Sequence, residues 1–253
     1  MTDTDDRREW DAPAYDTLNA PMTERGNDAV ARLALRGDET VLDAGCGTGE
    51  VTATLLERLP RGRVIALDGS RQMLDAASER FAGDPRVSFV QADLDAPLPL
   101  ERDAVDAIVS TSTFHWVRDH DALFRGLAAV LRPGGQLVVD CGGAGNVAPM
   151  LELLRELGHD EHPWTYAGVE ETQARLRAAG FGEMDVRLVP RVTRFASVEE
   201  AERFLTTVAL RTFVADLGPV EGPALVREVA ARLPDRSLHW VRLEIVARLG
   251  LAR

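Results

Sequence analysis

Lysine is absent from this sequence: all 29 basic residues are arginines. Without a side-chain amine, Schiff-base catalysis is excluded, and so is a phosphate loop of the G-x-x-x-x-G-K-[ST] kind. Cysteine is scarce too. Cys46 and Cys141 are too few for a disulfide framework, and both read as small packing residues, one in a glycine stretch and one closing an apolar run. No run approaches the roughly 18 apolar residues of a membrane-spanning helix. The start, MTDTDDRREW, has no apolar signal-peptide core. A cytoplasmic protein with no membrane partner is expected. Basic charge is also short, 41 acids against 29 arginines leaving −12. Nucleic acid is recognised through a basic face that releases counterions, so no nucleic-acid partner is expected.

What is present is alternation. Residues 14–36 carry a helical pattern broken near Pro21 and Gly26. Strands are predicted at Thr40–Ala44, Arg63–Leu67, Val87–Val90, Val105–Ser110 and Gln136–Val139. Between them, Val51–Leu59, Arg71–Phe81 and Leu123–Leu131 have apolar residues at helical spacing, the second of these with Ser70 placed to cap it. Such a series implies a doubly wound α/β fold with a mostly parallel sheet. The second half departs from strict alternation. Helices are predicted at 147–158 and 169–179, a strand at 184–189, helices at 197–211 and 220–233, and a last strand over Trp240–Ala247. One domain over 1–253 is expected, with a helical insertion before its final strand.

The stretch VLDAGCGTGE (41–50) follows the first strand and opens a helix. Glycines there permit a tight turn and close approach of a ligand to the main chain. In open α/β sheets such a loop lies at the ligand-binding edge. A dinucleotide loop would read G-x-G-x-x-G, but counting from Gly45 the sixth position is Glu50, an acid that would face a pyrophosphate. The observed spacing is Asp43-x-Gly45-x-Gly47-x-Gly49, and these residues, with Cys46 between the first two glycines, are the candidate ligand loop.

This pattern resembles the first motif of the class I S-adenosylmethionine-dependent methyltransferases. Three further stretches resemble the same family in the same order: VIALDGS with Asp68 and Gly69, VQADLDAPLP with Asp93 and Leu94, and LRPGGQLVV. Together they span roughly 38–141, the expected cofactor-binding core. The resemblance implies a Rossmann-like seven-stranded sheet with an antiparallel last strand, S-adenosylmethionine as cofactor and S-adenosylhomocysteine as product. It implies that Asp68 takes both ribose hydroxyls, and that Asp93 or the backbone at Leu94 takes the adenine amino group. Asp43 would lie near the methionine end, with Ser110 on the cofactor side of the fourth strand. Met73 reads equally as an adenine contact or as helix core, and Asp95 as a loop cap. In the family an N-terminal helix often lids the cofactor, so residues 1–36 are expected to hold a tail and lid, with Tyr15 and, less clearly, Met22 as contacts.

On the acceptor side, the stretch FHWVRDHDALFRGLAAVLRPGG resembles the small-molecule branch that includes trans-aconitate methyltransferase, whose members methylate carboxylates. The Asn/Asp-Pro-Pro-aromatic run of nucleic-acid amino methyltransferases is absent. The resemblance places Phe114, His115 and Trp116 near the acceptor. A carboxylate is ionised at neutral pH and needs no base. A phenol, amine or carbon acid would use one, and His115 is the candidate, with loop support as its other reading. Trp164 and Tyr166 in HDEHPWTY are expected to line the acceptor pocket. His159 and His162 lack a third ligand, so no metal is expected and the loop reads as solvated. Residues 142–253 form the expected acceptor half, roofed by a cap over 197–233, with Phe204, Val208, Thr212 and Phe213 read equally as pocket walls or as helix packing on the sheet. Arg203 or Arg211 could pair with an acidic substrate. The expected function is methyl transfer to a small molecule, a carboxylate first. Its alternatives are O-, N- or C-methylation of another metabolite, a non-catalytic cofactor-binding protein, or a nicotinamide oxidoreductase. Nothing in the sequence fixes the oligomeric state.

Overall fold

The computed structural model describes Trp10, Ala12 and residues 20–251, with the side chains of that stretch described from residue 24 onward. Tyr15 and the side chain of Met22 lie outside the described residues. Seven strands form one sheet: β1 (Thr40–Ala44), β2 (Arg63–Asp68), β3 (Val87–Gln91), β4 (Val105–Thr111), β5 (Leu131–Gly142), β6 (Phe181–Arg194) and β7 (Ser237–Leu249). Their order is β3-β2-β1-β4-β5-β7-β6. Strands β1 to β5 pair in parallel. β7 runs antiparallel to both β5 and β6. The expected Rossmann-like fold, with an antiparallel last strand and helices inserted before it, is the fold observed.

The central strands β1 and β4 are buried on both faces and read as continuous apolar runs for that reason. On one face, α1 (Ala20–Ala31) and α2 (Glu50–Arg58) pack Val30, Leu55 and Leu59 against Val41, Val109 and Val138. On the other, α4 (His120–Val130) and α6 (Val169–Ala178) set Phe124, Leu127 and Leu176 against Ile108, Leu137 and Ile245. α3 (Arg71–Arg80) connects β2 to β3 and begins at Ser70, whose hydroxyl accepts from the Met73 N–H as the sequence predicts.

Three departures from the expected elements have clear physical reasons. α1 runs unbroken through Pro21 and Gly26. Pro21 stands in the first turn, where its missing N–H has no intrahelical partner to lose. Gly26 marks close packing instead of a break, since a Cβ there would come within 2.6 Å of Val51 Cγ2. β6 extends well past residue 189, through Pro190 opposite Val241; an edge strand tolerates proline because one side makes no ladder bonds. The cap, finally, is broken differently. α7 (Val198–Phe204) continues as a π-helical turn over Leu205–Ala209, and α8 (Arg211–Arg232) is interrupted at Gly218, which has φ 77°. With α5 (Ala148–Glu156), these helices enclose a second core around Met150, Trp164, Phe204 and Val229, above the carboxyl ends of β4 and β5.

Candidate active site

The glycine loop is folded by its own backbone. The N–H groups of Gly45 and Cys46 donate to the Leu67 carbonyl at 2.7 and 2.9 Å, tying the end of β1 to the end of β2. Gly45, Gly47 and Gly49 have φ of 83°, 55° and 89°, in the left-handed region. At Gly45 a Cβ would lie 2.2 Å from Thr113 Oγ1, so glycine is required twice over. At Gly47 a Cβ would meet nothing within 4 Å. That direction is open because the loop borders a cavity of about 760 Å³.

Asp68 joins the loop to β2. Its Oδ2 accepts from the Gly47 N–H and its Oδ1 from the Ser70 N–H, both at 2.9 Å. Gly45, Gly47, Asp68, Gly69, Met73, Asp93 and Leu94 all line the large cavity. Asp93 accepts from the Asp95 N–H at 3.0 Å, and Asp95 accepts from the Arg118 N–H at 2.8 Å while also lining the large cavity.

Other candidates stand behind this surface. Ser110 is fully buried and donates to the Ala44 carbonyl at 2.6 Å, bracing β1 against β4. Cys46 is buried, and that burial pushes its thiol far above its ordinary value. Gly49 closes against Phe81 at the start of α2. Asp43 lies beneath the loop and accepts from the Thr52 hydroxyl at 2.7 Å. Its other oxygen is buried without a hydrogen-bond partner among the described residues. Burial, with the nearby charge of Asp68, raises its pKa from 3.8 to about 7 against the pull of Thr52.

A smaller cavity of about 60 Å³ adjoins the large one, sharing Trp10, Ser112 and Trp116 with it. Trp116, Trp164, Tyr166 and His115 line it, bringing together the predicted acceptor residues except Phe114. Phe114 points into the main core instead, edge-on to Phe124. His115 sits in a single 3₁₀ turn after β4. Its Nδ1 accepts from the Gly142 N–H at 3.3 Å, and its ring stacks on Tyr166. Burial, and then the positive charge of Arg242, hold His115 well below its ordinary pKa.

The loop before α6 is not merely solvated, since Glu161, His162 and Pro163 form part of the large cavity's wall. Of the cap candidates, Val208 reaches the small cavity and Arg211, Thr212 and Phe213 the large one, while Phe204 packs inside the second core. Arg203 lines neither cavity. The sequence reading missed Trp10, Arg25, Ser112, Asn146, Trp240 and Arg242, all on the small cavity. A signal for the last two did exist. In HWVRLEIVAR, Trp240, Arg242 and Glu244 occupy alternate places and so share one face of β7. Charged residues on an inner strand need buried partners, and Arg242 finds one in Asp140.

Comparison with known proteins adds the family. A methyltransferase-domain family model matches residues 41–135. A trans-aconitate 2-methyltransferase of Acidovorax ebreus is 36% identical, over 95% of this chain and 98% of that one. The chain belongs to the class I S-adenosylmethionine-dependent methyltransferases. Solved structures share the fold at lower identity. The YcgJ protein from Bacillus subtilis gives a TM-score of 0.66 at 16% identity, over 90% of this chain and 100% of that one. A Haemonchus contortus phosphoethanolamine N-methyltransferase 2, solved with S-adenosylhomocysteine, gives 0.68 at 19%, over 98% and 58%. The protein is therefore an S-adenosylmethionine-dependent methyltransferase acting on a small molecule. The residues present suit that cofactor, because the open side of Gly47 and the carboxylate of Asp68 face one cavity of sufficient size.

Proposed function

We propose that this methyltransferase esterifies a carboxylate of a small organic acid. The observation that carries the reading is the makeup of the small cavity, whose described lining includes Arg25, Arg242 and His115 but no aspartate or glutamate. His115 receives the Gly142 N–H on Nδ1, so its own proton is on Nε2 and its ring has no free basic nitrogen. Tyr166 is held protonated by burial. A neutral acceptor would find no base in such a lining, whereas a carboxylate needs none and is attracted to the two guanidinium groups. The trans-aconitate relative supports the same class, and trans-aconitate is the first acid to try.

When bound, the cofactor supplies an electrophilic methyl group on a sulfonium centre. In this reading Asp68, held by the Gly47 and Ser70 N–H groups, accepts from both ribose hydroxyls. Asp93 or the backbone at Leu94 receives the adenine amino group, and Leu67 and Met73 cover the ring face. Trp10 and Trp116, meeting edge to face at 5.5 Å, exclude water where the two cavities adjoin. The protein thus contributes proximity and desolvation of the nucleophile, with no proton transfer. Incubation with methyl-labelled S-adenosylmethionine and a panel of small acids tests the proposal. Label released as methanol by mild alkali marks an ester; alkali-stable label would place the methyl on nitrogen, carbon or an ether oxygen and refute it.

A further inference from the structure

All four tryptophans of the chain, Trp10, Trp116, Trp164 and Trp240, line the small cavity. Two of them, Trp10 and Trp116, also line the large one, and Ser112 is the third residue common to both. Gly45, Gly47 and Asp68 border the large cavity alone, while His115, Tyr166 and Arg242 border the small one alone. A methyl group passing from a donor in the first to an acceptor in the second crosses this seam, so the donor sulfur lies against it.

That sulfur arrives with a positive charge, and a buried charge needs compensation. None of the three seam residues is acidic, and no aspartate or glutamate among the described residues lines the small cavity. A carboxylate touching the sulfonium would compete for the methyl group, because it is itself a nucleophile. An indole face attracts a cation through its ring quadrupole and presents no oxygen to methylate. Indole faces already hold cations around these cavities. The Arg211 guanidinium lies 4.3 Å from the centroid of the Trp10 ring, and that of Arg25 lies 5.6 Å from the centroid of the Trp240 ring. With Trp10 so engaged, Trp116 is the seam ring for the donor.

Trp116 is also held in place. Its 3₁₀ turn is fixed by the Trp116 N–H donating to the Thr113 carbonyl at 2.9 Å and the Thr165 N–H donating to the His115 carbonyl at 2.8 Å. Phe114 anchors the same turn in the main core. Trp10 and Trp164 meet the Trp116 ring at 5.5 and 5.8 Å, with interplanar angles of 89° and 68°.

We propose that Trp116 recognises the positive charge of the donor sulfur by a cation–π contact, which favours S-adenosylmethionine over its neutral product. The proposal rests on the reading above, with the cofactor in the large cavity and the acceptor in the small one. When the methyl group moves to the carboxylate oxygen, the S–C bonding pair stays on sulfur, which becomes a neutral thioether. The attraction ends there, and S-adenosylhomocysteine leaves without having to break it. Because the charge is already fading in the transition state, the contact selects the donor and does not accelerate the displacement.

The test is the ratio of the dissociation constants of S-adenosylmethionine and S-adenosylhomocysteine, measured by calorimetry. A merely structural role would weaken both ligands alike and leave the ratio unmoved. Trp116→Leu should shift it against S-adenosylmethionine by about tenfold, the worth of a desolvated cation–π contact, and Trp116→Phe should shift it less. Protein grown with fluorinated tryptophan keeps the ring's shape but has a less negative face, and its ratio should shift the same way. An unmoved ratio in Trp116→Leu overturns the proposal. If that variant fails to fold, an unmoved ratio in the fluorinated protein overturns it instead. Gly47→Ala binding both ligands normally would remove the cofactor from the large cavity, and the proposal would fall with that reading.

Discussion

The Gly142 N–H donates to His115 Nδ1 at 3.3 Å, which puts the histidine's own proton on Nε2. Together with burial and the neighbouring Arg242 charge, this keeps the ring neutral well below pH 6.5. kcat/KM should therefore show no inflection near the ordinary histidine value. His115→Asn should cost about tenfold, the worth of one hydrogen bond, with the shape of the pH profile unchanged. A pH–rate series on both proteins checks this, and an acid limb that disappears in the variant would restore His115 as a base.

Asp68 makes a sharper prediction because its role is stereochemical. Wild-type protein should bind S-adenosylhomocysteine at least about tenfold more tightly than its 2′-deoxyribose analogue, since one charge-assisted bond is lost. In Asp68→Ala both ligands should bind weakly and with equal affinity. Calorimetric titration of the two ligands into the two proteins closes the cycle. Persisting discrimination in the variant would assign the ribose hydroxyls to another group.

Gly45 and Gly47 lie two residues apart but should fail in different ways. Gly45→Ala would drive a Cβ into Thr113 and should lower thermal stability. Gly47→Ala meets no protein atom, so it should cost only the backbone penalty of about 1 kcal/mol while placing a methyl group in the cofactor cavity. The expected signature is a nearly normal melting temperature with lost cofactor affinity at Gly47, and a depressed melting temperature at Gly45.

Buried Asp43 sets a stability slope. Its folded pKa of about 7 lies above the ordinary 3.8, so its contribution is fully present below about pH 4 and lost as pH rises through 7. The difference corresponds to roughly 4 kcal/mol. His115 and His120 are shifted down, chiefly by burial, so their contributions act in the opposite sense and are lost as pH falls below 6.5. Asp43→Asn should remove the decline between about pH 4 and 7 and leave the acid-side loss in place. Urea unfolding of both proteins across that range measures it.

Much of this architecture was legible in the residues. β1, β2 and β4 are short apolar runs ending at Asp43, Asp68 and Ser110, and the alternation of strand and helix allows few topologies. The glycine loop was legible because phosphate-binding alternatives fail on Glu50 and on the missing lysine. The acceptor side was not. Trp10, Arg25, Asn146 and Arg242 are far apart in the chain, and only the antiparallel return of β7 beside β5 brings Arg242 to Asp140, 102 residues away. Ser110 and Phe114 show the limit of reading by position. Each lies next to the site in sequence but turns inward, one to brace β1 and the other to fill the core.

Calorimetric titration with S-adenosylhomocysteine, S-adenosylmethionine and NAD in turn tests which cofactor the large cavity takes. One site per chain should bind the first two in the micromolar range and leave NAD unbound. Binding of NAD, or binding of S-adenosylhomocysteine unaffected by Gly47→Ala, would contradict the assignment of the large cavity.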